Sequence, residues 1–237
     1  MTTELLYLTD CYLKEFEANV VDVGELGIAL DRTAFFPGGG GQVADKGVIL
    51  WGGAKYPLKG FKKQGETLWH RIDGPFPPKG AQVKGVLDWE HRYQMMRTHT
   101  AFHILCGVIW RDYGALVTGG NMKPLQGRMD FELEHMSADF AQEVERKINE
   151  EVEAARPVKV YILPREEAFQ IPDLIRTKIN LLPESIRQVR IVEIEGLDIQ
   201  ADGGTHVANT KEVGRIKVVG HESKGRINKR IRIALEP

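Results

Sequence analysis

The sequence predicts an α+β protein: a small N-terminal β-barrel, then an α+β domain with helices packed on a largely antiparallel sheet. Two observations support this class. Residues 1–88 contain short apolar runs punctuated by glycine and proline, with no helical pattern. Residues 90–112 contain no proline and one glycine, and their apolar residues recur at helical spacing. We therefore predict one domain at 1–88 and a second at 89–237.

Strands and turns alternate in the first domain. Residues 24–26, Gly-Glu-Leu, predict a hairpin turn because glycine readily adopts the positive φ that such turns need. The strands predicted around this and later turns are 16–23, 27–30, 48–51, 67–72 and 82–87.

The second domain begins with a predicted helix that carries Met95, Phe102 and Leu105 on one face. Ser137 is a credible N-cap for another helix running to about residue 155, and Pro157 closes it. Strands are predicted at 128–134, 158–163, 187–194, 213–219 and 226–234. Helices on one side of these strands give an α+β domain.

The composition is that of an ordinary globular protein. Of 237 residues, 42% are hydrophobic and 27% charged, and the net charge of −1 gives no overall sign of a nucleic-acid partner. Two cysteines without metal-type spacing, Cys11 and Cys106, favour a reducing, cytoplasmic setting. We expect no signal peptide and no membrane partner, because no apolar stretch approaches the ~20 residues of a membrane span. Neither a stable protein partner nor an oligomeric state is indicated.

Two separated segments offer four ligands for one zinc ion. His99 and His103 lie four apart and would share one face of a helix. Asp202 and His206 also lie four apart, across two glycines that allow a tight turn. Imidazole nitrogen and carboxylate oxygen are ligands that Zn²⁺ accepts. The sequence therefore predicts one Zn²⁺ per chain, provided that the two segments meet.

Other interpretations of these segments stay open. A helical histidine pair alone is weak support for a metal, and the second segment could be a β-turn with an isolated histidine. Thr100 follows His99, so the general-base glutamate of H-E-x-x-H peptidases is missing. Four protein ligands on tetrahedral zinc would make a closed, structural site, whereas three histidines and a water, with Asp202 outside, would be a hydrolytic site. If Asp202 binds the metal directly, the coordination shell must expand to admit substrate.

Three motifs in the same order resemble the editing domain of alanyl-tRNA synthetase. They are the segments from Trp89 to His103, from Gly203 to Val207, and from Asp31 to Gln42. The resemblance covers nearly the whole chain, which is too short for a synthetase, so the chain is expected to be a free-standing alanyl-tRNA editing protein of medium length. It departs from the synthetase at Asp202, where cysteine is usual.

The resemblance implies hydrolysis of mischarged Ser-tRNA(Ala), with Gly-tRNA(Ala) as an open second substrate. Zinc would either activate water or orient the substrate, and Asp202 or Gln42 would assist proton transfer. Thr33 is the candidate for hydrogen bonding to the seryl hydroxyl, unless it merely caps a strand. Backbone N–H groups of Gly39, Gly40 and Gly41 would approach the acyl oxygen, unless this run is a flexible surface loop.

The 3′ end of the tRNA is the expected partner, and one basic segment could bind it. In a strand at 226–234, alternate polar side chains would share a face, with Ile227, Ile231 and Ile233 facing the core and Lys229 as the exception. The predicted tRNA-binding residues are Lys224, Arg226, Asn228, Arg230 and Arg232. The alternative is a solvated edge strand protected by its charge.

Two other functions remain open at this point. One is a metallohydrolase of the same fold that acts on another acylated substrate. The other is a tRNA-binding module without catalytic activity, whose zinc is structural.

Overall fold

The computed structural model describes residues 2–178 and 182–236, and the chain divides into two compact units. The first unit comprises Met1–Gly39 and Val43–Tyr93. The second comprises Gly40–Gln42 and Gln94–Pro237. Among the described residues, none of the helices has the length and apolar character that a membrane crossing requires.

Within the part of the first unit that the structure describes there are eight strands. Six of them pair antiparallel in the closed order β2-β3-β7-β6-β5-β8, a barrel, while β1 pairs in parallel with β4 and a 3₁₀ turn follows β1 at Leu6–Leu8. The strands are β1 (Glu4–Leu5), β2 (Glu15–Gly24), β3 (Gly27–Leu30), β4 (Arg32–Thr33), β5 (Gly47–Trp51), β6 (Ala54–Gln64), β7 (Thr67–Ile72) and β8 (Gln82–Leu87).

Alternate residues of β2 fill the barrel core. Phe16, Ala18 and Val20 are buried while their neighbours face outwards, which is the period-two pattern of a half-buried strand. Phe35 packs edge-on against Phe16, with ring centroids 5.2 Å apart. Gly85 leaves room for this pair, because a Cβ there would lie 2.3 Å from the Phe16 ring.

The first unit contains a buried ion pair between Arg92 and Asp45. The guanidinium of Arg92, which is fully buried, donates to both carboxylate oxygens of Asp45 and to the backbone oxygens of Cys11 and Ala34. Asp45 also accepts the backbone N–H of Phe36 at 2.7 Å. The charges are thus paired and hydrogen-bonded, which is the condition for burying them.

His70 is buried in the barrel and should make the stability of the protein depend on pH. Its Nε2 lies 3.0 Å from the Thr33 hydroxyl, and burial lowers the pKa of His70 to about 4. Since an unfolded histidine titrates near 6.5, the unfolded chain binds more protons between these values. We expect the free energy of unfolding to fall as pH drops from about 6.5 to about 4, with His70 contributing roughly 3 kcal/mol.

Urea denaturation of the wild type and of His70→Gln at several pH values measures this contribution. The glutamine variant keeps a hydrogen-bonding group beside Thr33 but has no titrating proton, so its pH dependence should be smaller by that amount. Parallel curves for the two proteins would contradict the assignment.

The described residues of the second unit form two antiparallel sheets rather than the single sheet that the sequence predicts. Their strand orders are β14-β15-β10-β9 and β11-β12-β13. The strands are β9 (Val117–Lys123), β10 (Gln126–Phe131), β11 (Val158–Pro164), β12 (Gln188–Ile194), β13 (Asp198–Ala201), β14 (Ile216–Gly225) and β15 (Asn228–Leu235). The helices are α1 (Trp89–Tyr113), which begins in the first unit, α2 (Ala138–Glu153) and α3 (Arg165–Ala168), with a 3₁₀ turn at Thr210–Val213.

Helix α2 lies along the outer strand β14. Ser137 caps it by accepting the backbone N–H of Phe140, as predicted. The Asn149 side chain exchanges two hydrogen bonds with the backbone of Ile216, at 2.8 and 3.0 Å. Glu145 accepts the Val218 N–H at 2.7 Å. Side chains of α2 therefore satisfy backbone groups that an edge strand would otherwise expose.

The α+β class, with mostly antiparallel sheets and few helices, is confirmed. The structure corrects the last strand. β15 begins at Asn228, so Arg226 and Ile227 lie in the turn before it, and Ile227 is exposed instead of facing the core. Lys229 is buried, with its Nζ bonded to the backbone oxygens of Gly225 and Arg226.

Candidate metal centre

The two segments that the sequence singles out meet in the second unit. Helix α1 carries His99 and His103, and the loop after β13 carries Asp202 and His206. The ring centroid of His206 lies 4.3 Å from that of His99 and 4.6 Å from that of His103. One ligand atom from each of the four residues lies within 4.8 Å of the others, so this group could hold a metal ion.

Each histidine is held at Nδ1 by a different partner. Nδ1 of His99 donates to the amide oxygen of Gln42 at 3.0 Å, since that oxygen can only accept. Nδ1 of His103 lies 3.0 Å from Asp198 Oδ2, and Nδ1 of His206 lies 3.2 Å from Thr100 Oγ1. Engagement of Nδ1 leaves Nε2 as the ring nitrogen that can bind a metal.

The separations within the cluster suit a zinc ion. Nε2 of His206 lies 3.0 Å from Asp202 Oδ2, and Nε2 of His99 lies 3.5 Å from Asp202 Oδ1. Two ligands about 2.1 Å from a tetrahedral Zn²⁺ are roughly 3.4 Å apart. The donor set, three imidazoles and one carboxylate, is also chemically appropriate for this ion.

Electrostatics leave most of the cluster in its metal-binding form. Burial lowers the pKa of His99 to about 4 and holds the pKa of His206 well below its usual range. Burial opposes ionisation of Asp202, but the nearby imidazoles hold its pKa well below the ordinary value. For His103 burial is outweighed by the hydrogen bond to Asp198, which raises the pKa. Neutral imidazole and ionised carboxylate are the forms that bind metals.

Gly204 packs directly on this centre. A Cβ at this position would lie 2.3 Å from His99 Cε1 and 2.7 Å from the Gln42 amide oxygen. The Gly204 N–H donates to Asp202 Oδ2 at 2.6 Å. At Gly203, by contrast, a Cβ would meet no heavy atom within 4 Å. The second glycine is therefore the one that the close approach requires.

The Gln42 side chain is fixed from both ends. Its amide nitrogen donates to the Thr205 hydroxyl at 2.8 Å, and its oxygen accepts the Thr205 N–H at 3.0 Å besides His99. Gln42 therefore links the glycine-rich segment to both halves of the cluster and orients His99.

A cavity of about 620 Å³ opens beside the cluster in the second unit. His99, His103 and Asp202 form part of its wall. Gly40 and Gly41 line it too, with φ values of 58° and 90° that favour glycine. The remaining wall is mainly apolar and includes Phe102, Met122, Met129, Leu174 and Leu182. Apolar walls with a few polar groups are typical of small-ligand sites.

Two predicted substrate-binding residues lie in the first unit. Thr33 ends β4 and is fully buried, where its hydroxyl accepts the Phe35 N–H at 3.2 Å and contacts His70. Gly39 also belongs to this unit, with φ of 143°.

The predicted tRNA-binding residues lie together on the β14–β15 hairpin, but carboxylates pair several of them. Arg230 binds Asp130 through two hydrogen bonds of 2.7 and 2.8 Å. Glu222 pairs with Arg232 at 2.9 Å and with Lys224 at 3.3 Å. Asn228 accepts the Thr118 hydroxyl, and Arg226 is exposed in the turn. The surface is thus less basic than its sequence indicates.

Sequence reasoning missed Asp198 and Thr100, the partners of His103 and His206. Thr100 lies inside the first motif, but a threonine on a helix carries no local signal of such a contact. Asp198 is 95 residues from its partner, so only the tertiary fold reveals the pair.

Comparisons with known proteins agree with the motifs. Residues 189–232 match the family described as the threonyl and alanyl tRNA synthetase second additional domain, and residues 2–91 match class II (A) tRNA synthetases.

Two full-length relatives carry the same name, alanyl-tRNA editing protein AlaX-M. That of Saccharolobus solfataricus is 43% identical over 99% of this chain and 100% of its own length. That of Methanosarcina barkeri is 39% identical over 98% and 99%. The alanine–tRNA ligase of Thermofilum pendens is 38% identical over 93% of this chain but only 24% of the ligase.

Proposed function

The chain belongs to the family of alanyl-tRNA editing proteins AlaX-M and is therefore an aminoacyl-tRNA deacylase, and we propose that it hydrolyses mischarged Ser-tRNA(Ala) with one zinc ion. The observation that carries this proposal is the group of three buried histidines and one partly buried aspartate, of which His99, His103 and Asp202 line the cavity. Since the substrate is a charged tRNA, we place the enzyme in the cytoplasm.

His99, His103, His206 and Asp202 would hold the zinc ion. When bound, zinc supplies Lewis-acid polarisation and lowers the pKa of water near it. The chain itself buries the three imidazole rings and orients each of them through the hydrogen-bond partner of its Nδ1 atom.

Asp202 is the residue to which we assign proton transfer. Its Oδ2 is engaged by Gly204 and His206, while Oδ1 has a longer contact of 3.5 Å to His99. We propose that Oδ1 takes a proton from water as the water oxygen attacks the seryl carbonyl carbon. The C–O bond to the terminal ribose then breaks, and the departing ribose oxygen receives that proton, giving serine and free tRNA. Gln42 supports the reaction by orienting His99.

Backbone groups of the glycine-rich segment are assigned to the acyl oxygen. Gly40 and Gly41 line the cavity, and their lack of side chains lets the backbone come close to a ligand. Preorganised N–H donors stabilise the negative oxygen of an ester-hydrolysis intermediate. Gly39 belongs to the same segment and shapes its turn.

From the resemblance of the segment from Asp31 to Gln42 we assign selection of serine to the Thr33 hydroxyl, which must become accessible from its buried position beside His70 to contact the substrate. A pocket shaped for alanine cannot strongly exclude a side chain that adds only a hydroxyl, so a second site must test for that group. A site that hydrogen-bonds the seryl hydroxyl leaves its own polar atoms unpaired with alanine, at about 1–3 kcal/mol each.

The tRNA 3′ end is assigned to the β14–β15 hairpin. Lys224, Arg226, Arg230 and Arg232 supply four cations against the carboxylates of Asp130 and Glu222, so a positive excess remains for phosphates. Asn228 adds an uncharged polar group to this surface.

Deacylation of Ser-, Gly- and Ala-tRNA(Ala), with and without a chelator, tests the proposal. We expect release of serine at least about tenfold faster than release of alanine, loss of this activity on chelation, and recovery when zinc is added back. Thr33→Val should reduce the preference for serine over alanine roughly tenfold to hundredfold.

The other outcomes separate the alternatives. Serine release that survives chelation would contradict the role of zinc. Equal rates on unrelated aminoacyl-tRNAs would indicate a deacylase of different specificity. Binding of tRNA without any hydrolysis would indicate a module whose metal is structural.

A further inference from the structure

We propose that Asp198 is a positioning residue that fixes the tautomer and orientation of His103 for metal binding. The proposal rests on the metal site proposed above. Asp198 takes no part in the reaction described so far, yet its carboxylate is completely buried at the start of β13.

The contact between the two residues defines the proton position. Asp198 Oδ2 lies 3.0 Å from His103 Nδ1, and an ionised carboxylate can only accept a hydrogen bond. In the neutral ring, Nδ1 therefore carries the proton and Nε2 keeps its lone pair for the metal. The corresponding partners of His99 and His206 are an amide and a hydroxyl, both neutral. Asp198 supplies the one charge-assisted bond of the three, which is roughly twice as strong as a neutral one.

Other side chains hold Asp198 in place and compensate its charge. The amide nitrogen of Gln200 donates to Oδ2 at 2.7 Å, and Arg176 Nε lies 3.5 Å from Oδ1. The Arg176 guanidinium is itself nearly buried and stacks over the Trp110 ring, 4.7 Å from the centroid. The charge and hydrogen-bonding capacity of this buried carboxylate are thus compensated, and its position is fixed.

Helix α1 contains a glycine where Asp198 approaches it. Gly107 lies one turn after His103, and a Cβ there would be 3.0 Å from the Asp198 Cβ and 2.9 Å from Leu197 Cγ. Glycine inside a helix is unfavourable by about 1 kcal/mol relative to alanine. Its position here opens the helix surface to the start of β13, so that Asp198 reaches the imidazole.

Zinc affinity of purified variants tests the proposal without relying on hydrolysis. The zinc dissociation constant is measured by competition with a chromogenic chelator for the wild type, Asp198→Asn and Asp198→Ala. Removing such a carboxylate typically weakens metal binding 10- to 100-fold, and we expect this for Asp198→Ala. Asp198→Asn should show a smaller loss, because its amide oxygen still accepts from Nδ1 but carries no charge.

Asp45→Asn is the matched control, since Asp45 is another buried aspartate paired with a buried arginine, in the first unit. It should lower the melting temperature but leave zinc affinity unchanged. Cobalt-substituted protein adds a spectroscopic readout, because a reoriented His103 changes the visible absorption of Co²⁺ in Asp198 variants and not in Asp45→Asn.

A zinc affinity of folded Asp198→Ala within about twofold of the wild type would overturn the proposal. If that variant does not fold, an unchanged affinity and cobalt spectrum in Asp198→Asn would overturn it equally. In either case tight zinc binding and hydrolysis by the wild type would leave the proposed function standing. Failure of the wild type to bind zinc would instead remove the metal site, and this proposal with it.

Discussion

Replacing His103 with alanine is expected to leave a folded protein that no longer releases serine from Ser-tRNA(Ala). The variant removes one ring of the cluster and leaves Asp198 without its imidazole partner. A bound metal ion supplies several kcal/mol of charge stabilisation, so the hydrolysis rate should fall by roughly 10²–10³-fold. Single-turnover deacylation measures the rate, and circular dichroism measures the fold.

His135→Ala is the matched control for this variant, because His135 is exposed and lies outside the cluster. It should keep both zinc and activity. Unfolding of His103→Ala under conditions where the control is folded would favour a purely structural metal. A folded His103→Ala with undiminished hydrolysis would exclude the cluster as the catalytic site.

Gly204→Ala should disrupt the metal centre although it adds only a methyl group. That methyl would overlap the His99 ring and the Gln42 amide, at 2.3 and 2.7 Å, so the ring must move. Misplacement by about 1 Å can reduce activity around 10²-fold, and we expect a comparable loss of zinc affinity. Chelator competition and deacylation assays measure the two effects.

Gly203→Ala provides the neighbouring control. Its methyl would meet no heavy atom within 4 Å, so zinc affinity and the free energy of unfolding should match those of the wild type. Equal zinc affinities in the two alanine variants would show that the backbone relaxes around Gly204 and that close packing there is unimportant.

Local sequence patterns were sufficient to predict the elements that have a regular spacing of apolar residues or a recognisable cap residue. The predicted bounds of β3, β7 and β8 agree with the structure, and Ser137 caps α2. The helical spacing of His99 and His103 likewise indicated a shared face. In each case periodicity or a cap residue within a short window carries the information.

Strands shaped by distant contacts were missed. β6 contains Pro57 and Gly60, which indicate a loop, yet Pro57 lies opposite Val48 of β5, and the pairing with β7 continues through a register shift between Leu58 and Gly60. β9 contains Gly119-Gly120-Asn121, a turn-like sequence. Gly120, and Gly127 on β10, lie under Phe102 of α1, where a Cβ at Gly127 would come 2.5 Å from the ring.

Within the candidate site, the sequence indicated the ligands but not what holds them. The four cluster residues fall in two short motifs, whereas Asp198 and Gln42 are paired with His103 and His99 across 95 and 57 positions. No window of sequence contains both members of such a pair, so their contact emerges only when the sheets and α1 are assembled.

The grouping of Gly40–Gln42 with the second unit limits how this protein can be divided or recombined. A gene fragment that starts at α1 would encode all four cluster residues yet omit the amide that receives the His99 proton and binds Thr205. Grafting the α1-to-β15 portion onto another protein would therefore require the host to supply an equivalent acceptor. The segment from α1 onwards is therefore not sufficient for the metal centre, because the centre also depends on Gly40–Gln42, a tripeptide that precedes α1 in the sequence.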